Sequence, residues 1–229
     1  MTERRTLEDG RAWLLDRLAR GAHPLDGIDP AATEATIRSL EGLEPEAWTA
    51  AWGAQAERFA ALGREAGSDG ERREAWMQAY HASFLGRYPV PNHPLKERQY
   101  ELAREHFRRA GALDDPPLQV VRVPFEGRAG EGDRVVFYLL RPPNVLRPPV
   151  VMAWAGIDTW KEEVYARLGA LFRSRGLAVL LVDMPGVGES PVLAGTDAER
   201  QWTPIFEWLS RQDDLDATRC AALGASFGG

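Results

Sequence analysis

The chain has 229 residues, 44% hydrophobic and 27% charged, which allows a real core and is ordinary for a globular protein. A net charge of −6 argues against nucleic acid as a partner, since phosphate binding needs a basic face. The single cysteine, Cys220, excludes an internal disulfide, and no run approaches the roughly 18 apolar residues of a membrane span, so a cytoplasmic protein without membrane contact is expected.

Residues 1–115 carry helical periodicity alone. The first 21 are charged and broken up, and their longest apolar run, 12–15, is too short for a signal-peptide core. Leu7, Leu14, Leu15 and Leu18 follow a cap at Thr6. Asp29-Pro30 sets a capping side chain before a proline at the first helical position. Residues 45–66 put Trp48, Trp52, Phe59 and Leu62 on one stripe. Ser68 and Glu71 have capping-box spacing, and Trp76, Tyr80 and Phe84 follow on one face. Prolines 89, 91 and 94 then break the chain. A last helix is predicted over 94–110, stopped by Gly111.

From Leu118 the pattern changes. Val120, Val121, Val123 and Phe125 predict a strand, residues 135–140 a second, and Gly127, Gly130 and Gly132 a hairpin-like turn between them. Residues 150–154 predict a third strand and 162–175 a helix. The continuous apolar run 177–182 predicts a strand buried on both faces. A helix over 198–211 and a short strand over 220–223, with Cys220 packed in a core, complete the series. Strands alternating with helices imply βαβ units and a parallel sheet. Two domains are expected, 1–115 helical and 116–229 α/β, joined at Asp114-Asp115-Pro116-Pro117.

Three segments carry chemistry. Gly224-Ala225-Ser226-Phe227-Gly228 is G-x-S-x-G directly after a strand. That pattern suits a sharp strand-to-helix turn that exposes the serine hydroxyl, with the Phe227 amide aimed at a developing oxyanion. Asp183-Met184-Pro185-Gly186-Val187-Gly188-Glu189-Ser190 forms a tight loop at the carboxyl end of the buried strand, where α/β proteins place sites. It lacks G-K-[ST] and the third glycine of a dinucleotide site, and Asp183 reads as a loop-shaping residue. Gly156-Ile157-Asp158-Thr159-Trp160 follows the third strand. There the Ile157 amide is the candidate second oxyanion donor, and Asp158 or Thr159 the candidate helix cap. No Cys/His cluster has metal-ligand spacing, so neither metal nor cofactor is expected.

Taken together, strand–Gly-x-Asp, strand–Asp-x-Pro-Gly-x-Gly-x-Ser and strand–Gly-x-Ser-x-Gly resemble an α/β-hydrolase. The forms at 156–163 and 183–190 resemble a narrower group, which holds dihydroxypseudooxynicotine hydrolase and the esterases related to the fermentation-respiration switch protein. The resemblance covers residues 75–229. It implies the N-terminal part of an α/β-hydrolase sheet of about five strands, preceded by an all-helical cap. It also implies Ser226 as nucleophile, the amides of Phe227 and Ile157 as oxyanion hole, and Gly156, Asp158, Asp183, Gly186, Gly188, Gly224 and Gly228 as site loops.

The implied activity is hydrolysis of a small-molecule carbonyl substrate, an ester or a ketone carbon–carbon bond, through an acyl-enzyme. In this fold the triad acid and histidine follow the serine, whereas three residues follow Ser226 here. The expectation is therefore a fragment inactive by itself. The four histidines, His23, His81, His93 and His106, all lie in the helical half. None has the claim of a general base, and His81 is the candidate for touching substrate. A non-catalytic binding protein on this scaffold, an acyltransferase using the same serine, and a homodimer through the helical half stay open.

Overall fold

The computed structural model describes residues 6–228, apart from the side chain of Arg167; residues 1–5 and 229 lie outside it, and with them part of the signal-peptide reading. The chain divides into two compact units, Met1–Leu113 and Asp114–Gly229.

The described part of the first unit is helical. Helix α1 (Leu7–Ala19) starts at Thr6, whose side chain accepts from Asp9 N while the Asp9 carboxylate accepts from Thr6 N. Helix α2 (Pro30–Ser39) starts at Asp29, whose carboxylate accepts from Ala32 N. Helix α3 (Pro45–Glu65) buries Trp48, Trp52, Ala56 and Ala60. Leu62, expected on that stripe, is instead 56% exposed. The buried line passes through the alanines, and Gly63 takes the close approach of the Trp76 ring, where a Cβ would meet Trp76 Cε2 at 2.9 Å.

Helix α4 (Asp69–Arg87), capped by the Ser68–Glu71 box, packs against both α3 and α5 (Pro94–Gly111), so its last turns are buried nearly all round. Gly111 is the final residue of α5 and not its stop. The turn continues through Ala112, whose N–H still reaches the Arg108 carbonyl. Among the described residues no helix is long and apolar enough to cross a membrane.

The second unit is a five-stranded sheet with helices. Strands β1 (Gln119–Pro124) and β2 (Arg134–Leu140) form an antiparallel hairpin. β3 (Pro149–Trp154), β4 (Ala178–Val182) and β5 (Asp216–Gly224) are mutually parallel, and the order is β1-β2-β4-β3-β5. The sheet is thus mixed: β2 runs antiparallel to β4. All five residues of β4 are buried, as the apolar run predicts.

One face of the sheet (Val135, Phe137, Leu139, Val150, Met152, Leu180, Val182) packs with Ile205 and Leu209 of α8 (Trp202–Ser210). On the other lies the helical segment 161–173, predicted as one α-helix. It is α6 (Lys161–Val164), a π-helical turn (Tyr165–Gly169) and α7 (Ala170–Arg173). The wider turn comes where the Tyr165 hydroxyl donates to Asp114 Oδ2 at 2.7 Å, and where Gly169 meets Leu140 so closely that a Cβ would come within 2.9 Å.

β5 departs most from expectation. It has nine residues and is mostly exposed, and Cys220 is exposed rather than packed in a core. The reason is its place at the edge, paired only with β3 among the described residues.

Candidate active site

Because β4, β3 and β5 are parallel and adjacent, the loops after them leave from one end of the sheet. Register fixes their alignment: Trp154, the last residue of β3, pairs with Gly224, the last of β5.

The chain turns at once after Gly224. Ser226 adopts φ +57° and opens a 3-10 turn, Ser226–Gly228. A side chain in the left-handed region costs roughly 1–2 kcal/mol, and such strain is held where function needs it. Two glycines make room for the turn. A Cβ on Gly228 would collide with the Ala155 carbonyl. A Cβ on Gly156 would lie 3.0 Å from Ser226 Oγ and 3.3 Å from Phe227 N, so the bare backbone of Gly156 is what faces the serine hydroxyl and the next amide. The Trp154 indole N–H donates to the Gly228 carbonyl and ties the turn back to β3. Ile157 is 52% and Phe227 68% exposed.

The loop after β3 is fastened by Trp160, whose indole N–H donates to the Ile157 carbonyl at 3.0 Å. The following helix is capped at Trp160 itself, whose N–H donates to Glu163 Oε2 at 2.9 Å. The cap therefore falls neither on Asp158, which is exposed and accepts from the Thr159 hydroxyl, nor on Thr159.

Asp183 is buried. One carboxylate oxygen accepts from Lys161 N (2.9 Å), the other from Lys161 Nζ (2.6 Å) and Glu189 N (2.8 Å). It thereby laces the β3 loop to the β4 loop. Gly188, at φ +58°, lies against this carboxylate, where a Cβ would collide with it. Gly186, at φ +86°, gives the loop its other tight turn, and its N–H donates to the Val192 carbonyl at 2.8 Å.

Sequence reasoning missed the rest of this cluster. The Lys161 ammonium is fully buried among Asp183, Glu189 Oε2 (2.9 Å) and Glu162 Oε1 (3.3 Å). Tyr138 donates to Glu162 at 2.8 Å, and its ring lies 5.1 Å from the ammonium. Burial raises the Glu162 pKa and the lysine charge opposes it, while Asp183 and Glu189 push it further up. The one signal available beforehand was rarity, since Lys96 and Lys161 are the chain's only lysines. Among the described residues no group of three or more His, Cys, Asp or Glu is placed to hold a metal ion.

The second unit thus brings together Gly156, Ile157, Asp158, Asp183, Gly186, Gly188, Gly224, Ser226, Phe227 and Gly228. His81 belongs to the first unit. Its ring packs on Tyr80 (centroids 5.0 Å apart) beside Gly27, and burial lowers its pKa to about 4 against the pull of Asp26 and Glu74.

The family model described as esterase FrsA-like matches residues 32–229. Alpha/beta hydrolase pydG of Acremonium sp is 30% identical over 231 residues, covering 91% of this chain and 52% of its own length. Hydrolase ORFZ of Pyricularia oryzae is 31% identical over 226 residues, covering 89% and 52%. The chain therefore spans about half the length of these curated relatives. Among solved structures, 2,6-dihydroxy-pseudo-oxynicotine hydrolase superposes with a TM-score of 0.76 at 19% identity, over 94% of this chain and 58% of that one. At that identity the likeness concerns the fold.

Proposed function

The chain belongs to the FrsA-like esterases, within the α/β-hydrolases, and on that premise we propose that it supplies the nucleophile half of a serine hydrolase. Ser226 attacks the carbonyl carbon of a small-molecule ester, or of a ketone whose carbon–carbon bond is to be cleaved. The amides of Phe227 and Ile157 take the oxyanion, and water then releases the acyl group from Ser226. The acid and the histidine come from chain beyond residue 229, in the order usual for this fold, which agrees with relatives about twice as long. The helical residues 1–115 act as the cap, and His81 is a substrate contact there.

The observation that carries this reading is the strained Ser226, at φ +57°, its hydroxyl against the bare backbone of Gly156. The buried Lys161–Asp183 tie supports it by fixing the loop that holds Ile157.

The test is acyl trapping in the protein extended to the length of its relatives. With a p-nitrophenyl ester, rapid quenching and peptide mass mapping should place the acyl group on Ser226. Hydrolysis should fall about 10⁴- to 10⁶-fold both in S226A and in the 229-residue chain, which lacks the base. Acyl transfer to another residue, or undiminished turnover by S226A, would overturn the assignment. Transfer to added alcohol in preference to water would point to an acyltransferase instead.

A further inference from the structure

Both lysines of the chain are buried, and only Lys161 is enclosed by carboxylates. Lys96, in the first turn of α5, is 9% exposed. Its ammonium donates one hydrogen bond, to the Tyr88 carbonyl at 2.9 Å, and among the described residues it forms no ion pair. Its neighbour in charge is another cation, the fully buried Arg87, which donates to the Pro89 carbonyl at 2.7 Å and lies 4.0 Å over the Phe84 ring. Burial and Arg87 both lower the Lys96 pKa.

Lys96 lines a cavity of about 320 Å³ with Trp13, Leu14, Leu43, Trp48 and Tyr88, wholly within the first unit. The Trp13 and Tyr88 rings are stacked, with centroids 6.5 Å apart and 22° between planes. The Trp48 indole N–H is spent on the Leu85 carbonyl, so Trp48 offers the cavity a ring and no donor. A third cation, Arg17, sits 5.2 Å over Trp13. Among the residues lining it Lys96 alone carries a charge, so this is an aromatic-walled hollow with one ammonium.

Each feature narrows the occupant. A buried ammonium with N–H groups to spare is costly, and a carboxylate removes that cost with charge-assisted hydrogen bonds. A cation would be repelled by Lys96 and Arg87, and a neutral molecule would leave the ammonium uncompensated. A phosphate would lose too much hydration against walls of rings for one lysine to replace. The volume suits one or two fused rings. We infer that this cavity binds a small aromatic monocarboxylate, its ring against Trp13, Trp48 and Tyr88 and its carboxylate on Lys96. The inference is independent of Ser226.

Isothermal titration of the 229-residue chain with 1-naphthoate, and with neutral 1-naphthamide, tests it. Naphthoate should bind with sub-millimolar affinity and the amide about tenfold more weakly, the difference a charged hydrogen bond supplies. K96M should bring the acid down to the level of the amide. L43W, which fills the cavity without touching Lys96, should abolish binding of both while the melting temperature holds, so a folding defect in K96M leaves the idea testable. Absence of naphthoate binding at millimolar concentration, equal affinity for acid and amide, or full binding by L43W would overturn the inference.

Discussion

A serine held at φ +57° costs the fold what a glycine there would not. S226A keeps the strained backbone and loses only the hydroxyl, whereas S226G relieves the strain and gives some of it back as unfolded-chain entropy. S226G should therefore melt above S226A, by about 1 kcal/mol of stability. Equal melting by calorimetry would mean the turn is unstrained. His81 carries the opposite kind of cost. Its pKa is about 4 in the fold against 6.5 when unfolded, so the unfolded chain binds the proton first. The fold is then most stable above pH 6.5 and loses up to about 3 kcal/mol as pH falls from 6.5 to 4, levelling off below. Urea midpoints against pH should show this slope, and H81Q should flatten most of it. The remainder belongs to His106, whose pKa burial also lowers, and toward pH 4 to Glu131, Asp133 and Asp216, whose carboxylates are held below their usual range by hydrogen bonds from Arg200, Arg134 and Thr218. An unchanged slope in H81Q would remove His81 from the account.

At the scale of elements, sequence was most informative where the physics is local. Asp29-Pro30 and the Ser68–Glu71 box are caps because the partners lie within three residues, and the helices begin there. The all-apolar run 177–182 revealed β4 for the same reason. What escaped was non-local. The wide turn at Tyr165–Gly169 answers to Asp114 and Leu140, and Leu62 is exposed because Gly63 and the alanines take the packing. The cage around Lys161 joins residues from β2, α6 and the β4 loop, which no periodicity links. K161M strips three carboxylates of their buried cation and should cost about 3–5 kcal/mol. E162Q keeps an oxygen for Tyr138 and removes a carboxylate that burial already disfavours, so it should stay within about 1 kcal/mol of the parent. Denaturant titration separates these outcomes, and equal losses would refute this division of roles.

For the whole molecule, the strand types and the serine turn were legible, but the exposure of β5 was not, because a strand's neighbours are not written in its own residues. Cys220 reports on this directly. In the 229-residue chain it should react with a thiol reagent under native conditions, slowed by the partial desolvation that raises its pKa. In a longer polypeptide that lays further structure over β5, the same thiol should be protected. Protection in the 229-residue chain would mean that β5 is covered already, for instance by a second copy.

The strand order has a consequence for synthesis on the ribosome. β3 lies inside the sheet, yet its flank toward β5 is filled only when residues 216–224 emerge. Gly156 therefore waits some seventy residues for the serine it faces. A nascent chain can complete its hairpin, its buried β4 and the Lys161 cage before the backbone of Gly156 meets the turn at Ser226.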